Sequence, residues 1–184
     1  MSRPHSLKLF VLLAALAAVP ACHSSGDPAG VGGEQALSLT DIPASASLVE
    51  AALLTPEGRY ADLRGYSGIT RRERAVVRDE ASWRVFWRRA AGGRDAPAPA
   101  VNFASDVVIF AALGELPSGG HFVEIDRVYR HEGDLYAVVT EHAAAPTCPT
   151  PQPSSMQPIV AVRVAAASGA RVRFVERSVM DACG

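Results

Sequence analysis

The second half of the chain contains five β-rich segments with no room between them for a crossover helix. They are DVVIFAAL (106–113), HFVEIDRVYR (121–130), LYAVVTEH (135–142), IVAVRVA (159–165) and RVRFVERSV (171–179). Parallel strands that follow one another in a sheet need a crossover of a dozen or more residues, usually a helix. The pattern therefore predicts a mainly β or α+β fold, with an antiparallel sheet arranged as a small sandwich or an open barrel.

Within this series, the first segment is continuously apolar and rich in β-branched residues, which predicts a strand buried on both faces. The next two segments are joined by HEGD, and a link of about four residues with a glycine predicts a hairpin. The last two segments are joined by AASGA, so the same argument predicts a second hairpin.

One amphipathic helix is predicted in DEASWRVFWRRAAGG (79–93), packed on this sheet. Asp79 is an N-cap candidate, because its carboxylate can accept from free amides of the first turn. The apolar residues fall at i, i+3, i+4 and i+7, which places them on one face: Trp83, Phe86, Trp87 and Ala90. This spacing favours core packing of the two tryptophans over an aromatic ligand platform.

Two shorter stretches precede the helix. SLVEAALLT (47–55) is compatible with a short helix or a strand. GITRRERAVVRD (68–79) predicts an exposed strand that becomes buried as it proceeds. Its arginine cluster fits a solvated face better than a patch for an acidic partner.

The first 21 residues are predicted to be a lipoprotein signal peptide. Arg3 and Lys8 precede an apolar run that ends in VPAC, and this pattern predicts lipidation of Cys22. An ordinary cleaved signal peptide is the alternative. Residues 22–36 are small, polar and glycine-rich, which predicts a flexible tether, and residues 37–184 are predicted to form a single globular domain. Because no Asp follows Cys22 directly, we expect anchoring in the outer membrane if the host is Gram-negative.

Charge and cysteine content narrow the function classes. The formal net charge of -1 argues against a nucleic-acid partner. If Cys22 carries lipid, Cys148 and Cys183 remain, an even pair that in an exported protein predicts a disulfide. A metal site using the same two thiolates lacks the close ligand spacing that such sites show.

Catalytic and metal-binding patterns are weak. GYSGI around Ser67 resembles half of a nucleophile elbow, but the elbow requires Gly-x-Ser-x-Gly. Three histidines could act as a base or bind zinc with neighbouring acids: His121, His131 and His142 with Glu124, Asp126 or Glu141. Strand alternation, however, puts His121 on the face opposite Glu124 and Asp126. We therefore expect no catalytic residues, no metal and no cofactor.

The stretch ELPSGGHFVEI (115–125) places a proline and two glycines before a strand. It has no Lys and lacks the spacing of a phosphate-binding loop. Pro117 and a glycine with positive φ are typical of a turn. Residues 117–121 are therefore the candidate partner-binding turn: Pro117, Ser118, Gly119, Gly120 and His121.

The order of these features resembles the C-terminal domain of the PrcB family, over about residues 75–175. The resemblance rests on the tryptophan helix, VNF before a buried strand, the glycines after that strand, and a final RVRFVE segment. Its structural markers here are Trp83, Trp87, Phe103 and Gly114. The chain departs from the family in having Asn102 where Asp is usual, and His121 where Tyr is usual.

That family is named for a lipoprotein subunit that stabilises a surface protease complex. The resemblance therefore implies a non-catalytic, lipid-anchored envelope module that binds or stabilises a secreted or surface protein, with a protease as one candidate. A small envelope hydrolase using Ser67 or a histidine is the alternative, and a purely structural lipoprotein is another.

Overall fold

The computed structural model describes residues 37–55, 64–117, 119–148 and 155–182. The predicted signal peptide, the lipidation site Cys22 and the tether up to residue 36 lie outside these ranges. Ser118 of the candidate turn and Cys183 of the candidate disulfide also lie outside them. The domain boundaries, the lipid anchor and the Cys148–Cys183 pairing therefore stay predictions.

The described chain contains eight strands, one α-helix and a short 3-10 helix at Leu39–Asp41. The α-helix, α1, spans Glu80–Ala91. The strands are β1 Ser47–Val49, β2 Ala51–Leu53, β3 Glu73–Val77, β4 Asp106–Ala112, β5 His121–His131, β6 Asp134–Ala144, β7 Ile159–Ala165 and β8 Val172–Asp181. None of the described helices has the length and apolar character that crossing a membrane would require.

The strands form two four-stranded sheets that pack face to face. The first sheet has the order β1-β5-β6-β8 and the second has the order β2-β7-β4-β3. Within the described strands, β6 and β8 are a parallel pair and the remaining pairs are antiparallel. The predicted fold class is confirmed, and of its two forms the structure has the sandwich, with α1 on the outer face of the second sheet.

Strand β4 lies at the centre of the core and is buried along its whole length. Its odd-numbered residues, including Val107 and Ile109, pack between the two sheets. Its even-numbered residues, including Val108 and Phe110, pack against α1. Alternation along one strand thus supplies both layers of the core, as its continuous apolar sequence predicted.

Helix α1 has the N-cap and the buried face that its sequence predicted. The Asp79 carboxylate accepts from the Ser82 amide at 2.8 Å, and this hydrogen bond, with a second from the Ser82 hydroxyl, lowers the pKa of Asp79. Gly92 ends the helix with φ 60°. Trp83 and Trp87 are buried in the core, and their indole N–H groups donate to carbonyls of the link that follows the helix. The tryptophans are core residues.

The stretch 47–55 resolves into two short strands, one in each sheet. β1 pairs with β5 and β2 pairs with β7, with Glu50 between them. The chain therefore passes from one sheet to the other here without a loop, and this corner closes one side of the sandwich covalently.

Strands β5 and β6 form the predicted hairpin. Its turn is shorter than expected, because the strands extend to His131 and Asp134. The two turn residues, Glu132 and Gly133, have φ of 49° and 89°. Positive φ at both positions is the signature of a type I′ turn, which matches the twist of the flanking strands.

The predicted hairpin of the last two segments is wrong. β7 lies in the second sheet between β2 and β4, whereas β8 lies in the first sheet, parallel to β6. Both edges of β7 are already paired, so β8 has no place beside it. Residues 166–171 instead carry the chain across to the free edge of β6. The passage through the other sheet provides the crossover that a parallel pair needs.

Candidate functional site

The glycine turn, residues 117–121, connects β4 of the second sheet to β5 of the first. Gly120 has φ 84°, which confirms that a glycine of this pair takes a positive φ. A Cβ at Gly120 would lie 3.0 Å from that of Ala144, and its carbonyl accepts from the Ala144 amide at 3.1 Å. The turn is thus held against the end of β6.

The backbone at Gly114, a predicted family marker, also requires a glycine. It has φ 80°, and a Cβ there would lie 2.7 Å from the Arg72 amide nitrogen. Only a glycine allows the chain leaving β4 to pass this close to the segment before β3. The marker Phe103 is half-buried against the core beneath α1.

A cavity of about 520 Å³ opens beside the turn, at the end of the gap between the two sheets. We call it the inter-sheet cavity. It is lined by apolar residues and by polar residues at its rim. The apolar ones are Leu113, Leu116, Ala143, Val179 and Met180, and the polar ones are Arg72, His121, Glu141, His142 and Ser178. His121 lies on the same strand face as buried Val123 and Ile125, as alternation predicted.

Four charged residues at the rim form a network, the Arg–Glu cluster: Arg72, Arg74, Glu141 and Glu176. The Arg74 guanidinium donates to Glu176 Oε1 at 2.9 Å and also contacts Glu141. Arg72 donates to Glu141 Oε1 at 2.9 Å and to Glu176 Oε2 at 3.0 Å. Because the arginines flank or belong to β3 and the carboxylates belong to β6 and β8, the cluster ties the second sheet to the first.

This cluster differs from the solvated arginine face that the sequence predicted. The Arg74 side chain is only 8% exposed, while that of Arg72 is 53% exposed. The alternation of side chains along a strand could have indicated this arrangement. Arg74 lies on the same strand face as Val76, and Glu176 lies on the same face as Phe174. Opposite charges on two inward faces indicate an ion pair between sheets.

His142 lies on the opposite, outer face of the first sheet. Its Nδ1 atom is 3.1 Å from both carboxylate oxygens of Asp181, and its Nε2 atom is 3.6 Å from Glu124. Its ring stacks on Phe122 with a centroid distance of 4.0 Å. His142 therefore supports the end of the sheet behind the inter-sheet cavity.

The three histidines are not brought together. His121 and His142 both border the inter-sheet cavity, but the His142 ring stacks on Phe122. His131 lies at the far end of β5, where its Nδ1 is 3.2 Å from the Ser45 hydroxyl. Across the described ranges, no group of three or more His, Cys, Asp or Glu is placed to hold a metal ion.

Ser67 is a buried residue whose hydroxyl is already hydrogen-bonded. It is 6% exposed, and its hydroxyl accepts from the Ile69 amide at 3.1 Å. A Cβ on Gly68 would lie 2.3 Å from the Arg89 carbonyl oxygen. The GYSGI stretch thus packs against the end of α1, and in the described part of the chain no hydrogen bond joins Ser67 to a histidine.

The PrcB C-terminal family model matches residues 107–165. This range runs from β4 through β7 and contains Gly114, the glycine turn and the β5–β6 hairpin. It is narrower than the predicted range of 75–175 and does not include Trp83, Trp87 or Phe103. No curated protein and no solved structure matches the chain. The predicted recognition is confirmed over residues 107–165, the range that matches the PrcB C-terminal family model.

Proposed function

We propose that this chain is a lipid-anchored accessory protein of the cell envelope, which binds or stabilises a secreted or surface protein. A protease is the first candidate partner. The observation that carries the proposal is the family match over residues 107–165, because the resemblance implies a protease-associated accessory module rather than an enzyme. In a Gram-negative host we place the protein at the outer membrane.

The geometry around the glycine turn supports a binding role. The turn and the rim of the inter-sheet cavity lie within or directly beside the matched strands, and the cavity opens to solvent with a largely apolar lining. The hydrolase alternative has no comparable support, because the Ser67 hydroxyl is buried and hydrogen-bonded to a neighbouring amide.

Isolation of the lipidated full-length chain from its native membranes tests the proposal. We expect a stoichiometric partner to co-purify, and Cys22→Ser to release the protein from the membrane. His121→Ala should weaken recovery of that partner. His131→Ala is the matched control, because it removes the same residue type from the other end of β5.

Two results would count against this function. Repeated recovery of the protein alone, with folding and lipidation intact, would contradict a binding role. Turnover by the purified protein that Ser67→Ala abolishes without loss of folding would instead establish the hydrolase.

A further inference from the structure

Strand β8 is an edge of the first sheet, and only part of that edge is covered. The Leu37 amide donates to the Phe174 carbonyl, and the Leu37 carbonyl accepts from the Glu176 amide at 2.8 Å. Residues 174 and 176 therefore direct their backbone polar groups away from β6. The Asp181 carbonyl, in contrast, accepts from Ala145 on the β6 side at 3.0 Å.

Alternation extends this pattern to the rest of the strand. The amide and carbonyl of Ser178 and Met180 must face away from β6, because they share parity with residues 174 and 176. Within the described chain these groups have no backbone partner. Among the residues that the structure describes, the stretch 178–180 is therefore an open sheet edge, without the proline, bulge or covering segment that usually protects such edges.

This free edge borders the inter-sheet cavity. The side chains of Ser178 and Met180 line the cavity, and Met180 is 67% exposed. A strand added at this edge would direct alternate side chains into the same gap. Edge and cavity thus form one surface, in which backbone groups and an apolar pocket are available together.

The charges at the rim of the inter-sheet cavity restrict which ligand can bind to this surface. Arg72 and Arg74 are balanced by Glu141 and Glu176, so the Arg–Glu cluster has no net formal charge and no unmatched ion to attract a charged ligand. The residues of the free edge, 178–180, are uncharged. A complementary segment is therefore uncharged and apolar where it faces the gap. A small apolar molecule would leave the edge amides unpaired, whereas an extended backbone pairs them.

We propose that residues 178–180 of β8 take up an extended, uncharged segment of the protein partner as an added strand, with an apolar side chain of that segment in the inter-sheet cavity. This mode of recognition draws affinity from main-chain hydrogen bonds and specificity from the pocket. The inference rests on the proposed accessory function and states which surface performs it. The added strand would continue the backbone hydrogen bonds that Leu37 makes with β8 along the same edge.

Site-specific photocrosslinking in the lipidated full-length protein, in its native cells, tests the inference. The probe is p-benzoylphenylalanine placed at Met180, and at Leu48 on the opposite edge of the first sheet as the comparison position. We expect Met180 to crosslink to a short segment of a second protein in at least about tenfold higher yield than Leu48.

Proline substitution then separates strand addition from simple proximity. Ser178→Pro removes an amide that points away from β6, so it should abolish the Met180 crosslink while leaving the β6–β8 ladder intact. Leu53→Pro is the matched control, because it places a proline on the edge strand β2, at an amide that faces away from β7. Circular dichroism melting verifies that both variants fold.

Each result has a distinct meaning. A Met180 crosslink lost only in Ser178→Pro supports the added strand. A partner that crosslinks from Leu48 but not Met180, or a Met180 yield that Ser178→Pro leaves unchanged, overturns the inference and leaves the accessory function standing. A Met180 crosslink to a second copy of this chain also overturns it. No crosslink at either position, together with no co-purifying partner, overturns both proposals.

Discussion

Replacing Arg74 with methionine removes the buried cation of the Arg–Glu cluster while keeping most of its apolar stem. Arg74 donates to both oxygens of Glu176, to Glu141, and to the Ala112 carbonyl at 2.9 Å. Removing one partner of a buried ion pair costs about 3–5 kcal/mol, because an uncompensated charge remains. We expect the lower end, about 3 kcal/mol, because both carboxylates retain the half-exposed Arg72 and some contact with water.

Urea unfolding followed by circular dichroism measures this loss as the change in the free energy of unfolding. A loss of this size corresponds to a decrease of about 10 °C in melting temperature for a domain of this length. Arg71→Met is the control, because Arg71 is exposed and next in sequence to the cluster, and its change should stay within about 0.5 kcal/mol. A loss for Arg74→Met below about 1 kcal/mol would refute the reasoning, since that is the range of a surface ion pair.

A double-mutant cycle isolates the pair itself. Arg74→Met combined with Glu176→Gln should cost about 1–3 kcal/mol less than the sum of the single changes, because the second substitution removes the charge that the first left unpaired. Additive losses would show that Arg74 stabilises the protein through its contacts within the second sheet instead.

Three further predictions concern the helix, a close contact and the chain end. Asp79→Ala should lower the melting temperature at neutral pH. The difference should begin to shrink as pH falls below about 4, the ordinary pKa of Asp, and should disappear below the lowered pKa that Asp79 has in the folded protein. Gly68→Ala should prevent or severely weaken folding, whereas Gly169→Ala, which meets nothing within 4 Å, should not; expression and melting check both. Peptide mapping without reductant should show Cys148 linked to Cys183, and Cys148→Ser should cost about 4 kcal/mol because it frees the closed loop in the unfolded chain.

The elements that the sequence predicted well are those with a strong local pattern. Helix α1 combines a capping aspartate, a 3.6-residue apolar stripe and a terminal glycine, and each feature acts within the segment itself. Strand β4 was recognisable because both of its faces are buried, so its apolar run is unbroken.

The arrangement of the last two strands could not be predicted in the same way. A short link with a glycine is equally compatible with a hairpin and with a step between two sheets. The choice depends on which strand edges are already paired, and β7 is paired on both sides by β2 and β4, one of which lies far away in the sequence.

The candidate site was predicted in part. Alternation correctly placed His121 on the face opposite Glu124 and Asp126. The turn chemistry predicted a positive φ at one glycine of the pair, and the structure has it at Gly120. The inter-sheet cavity was not foreseen, because Arg72, Leu116 and Met180 meet there from three distant segments. A pattern within one segment cannot predict a cavity whose lining residues come from different sheets.

The two sides of the sandwich are held together by different kinds of bond. At the β1–β2 corner the sheets are joined by the backbone itself, through Glu50. On the opposite side they are joined by the Arg–Glu cluster, whose attraction weakens in salt. The sandwich is thus held by a backbone connection along one side and by ion pairs along the other. Weakening the Arg–Glu cluster should therefore loosen the packing of the sheets beside the inter-sheet cavity, while the β1–β2 corner keeps them joined.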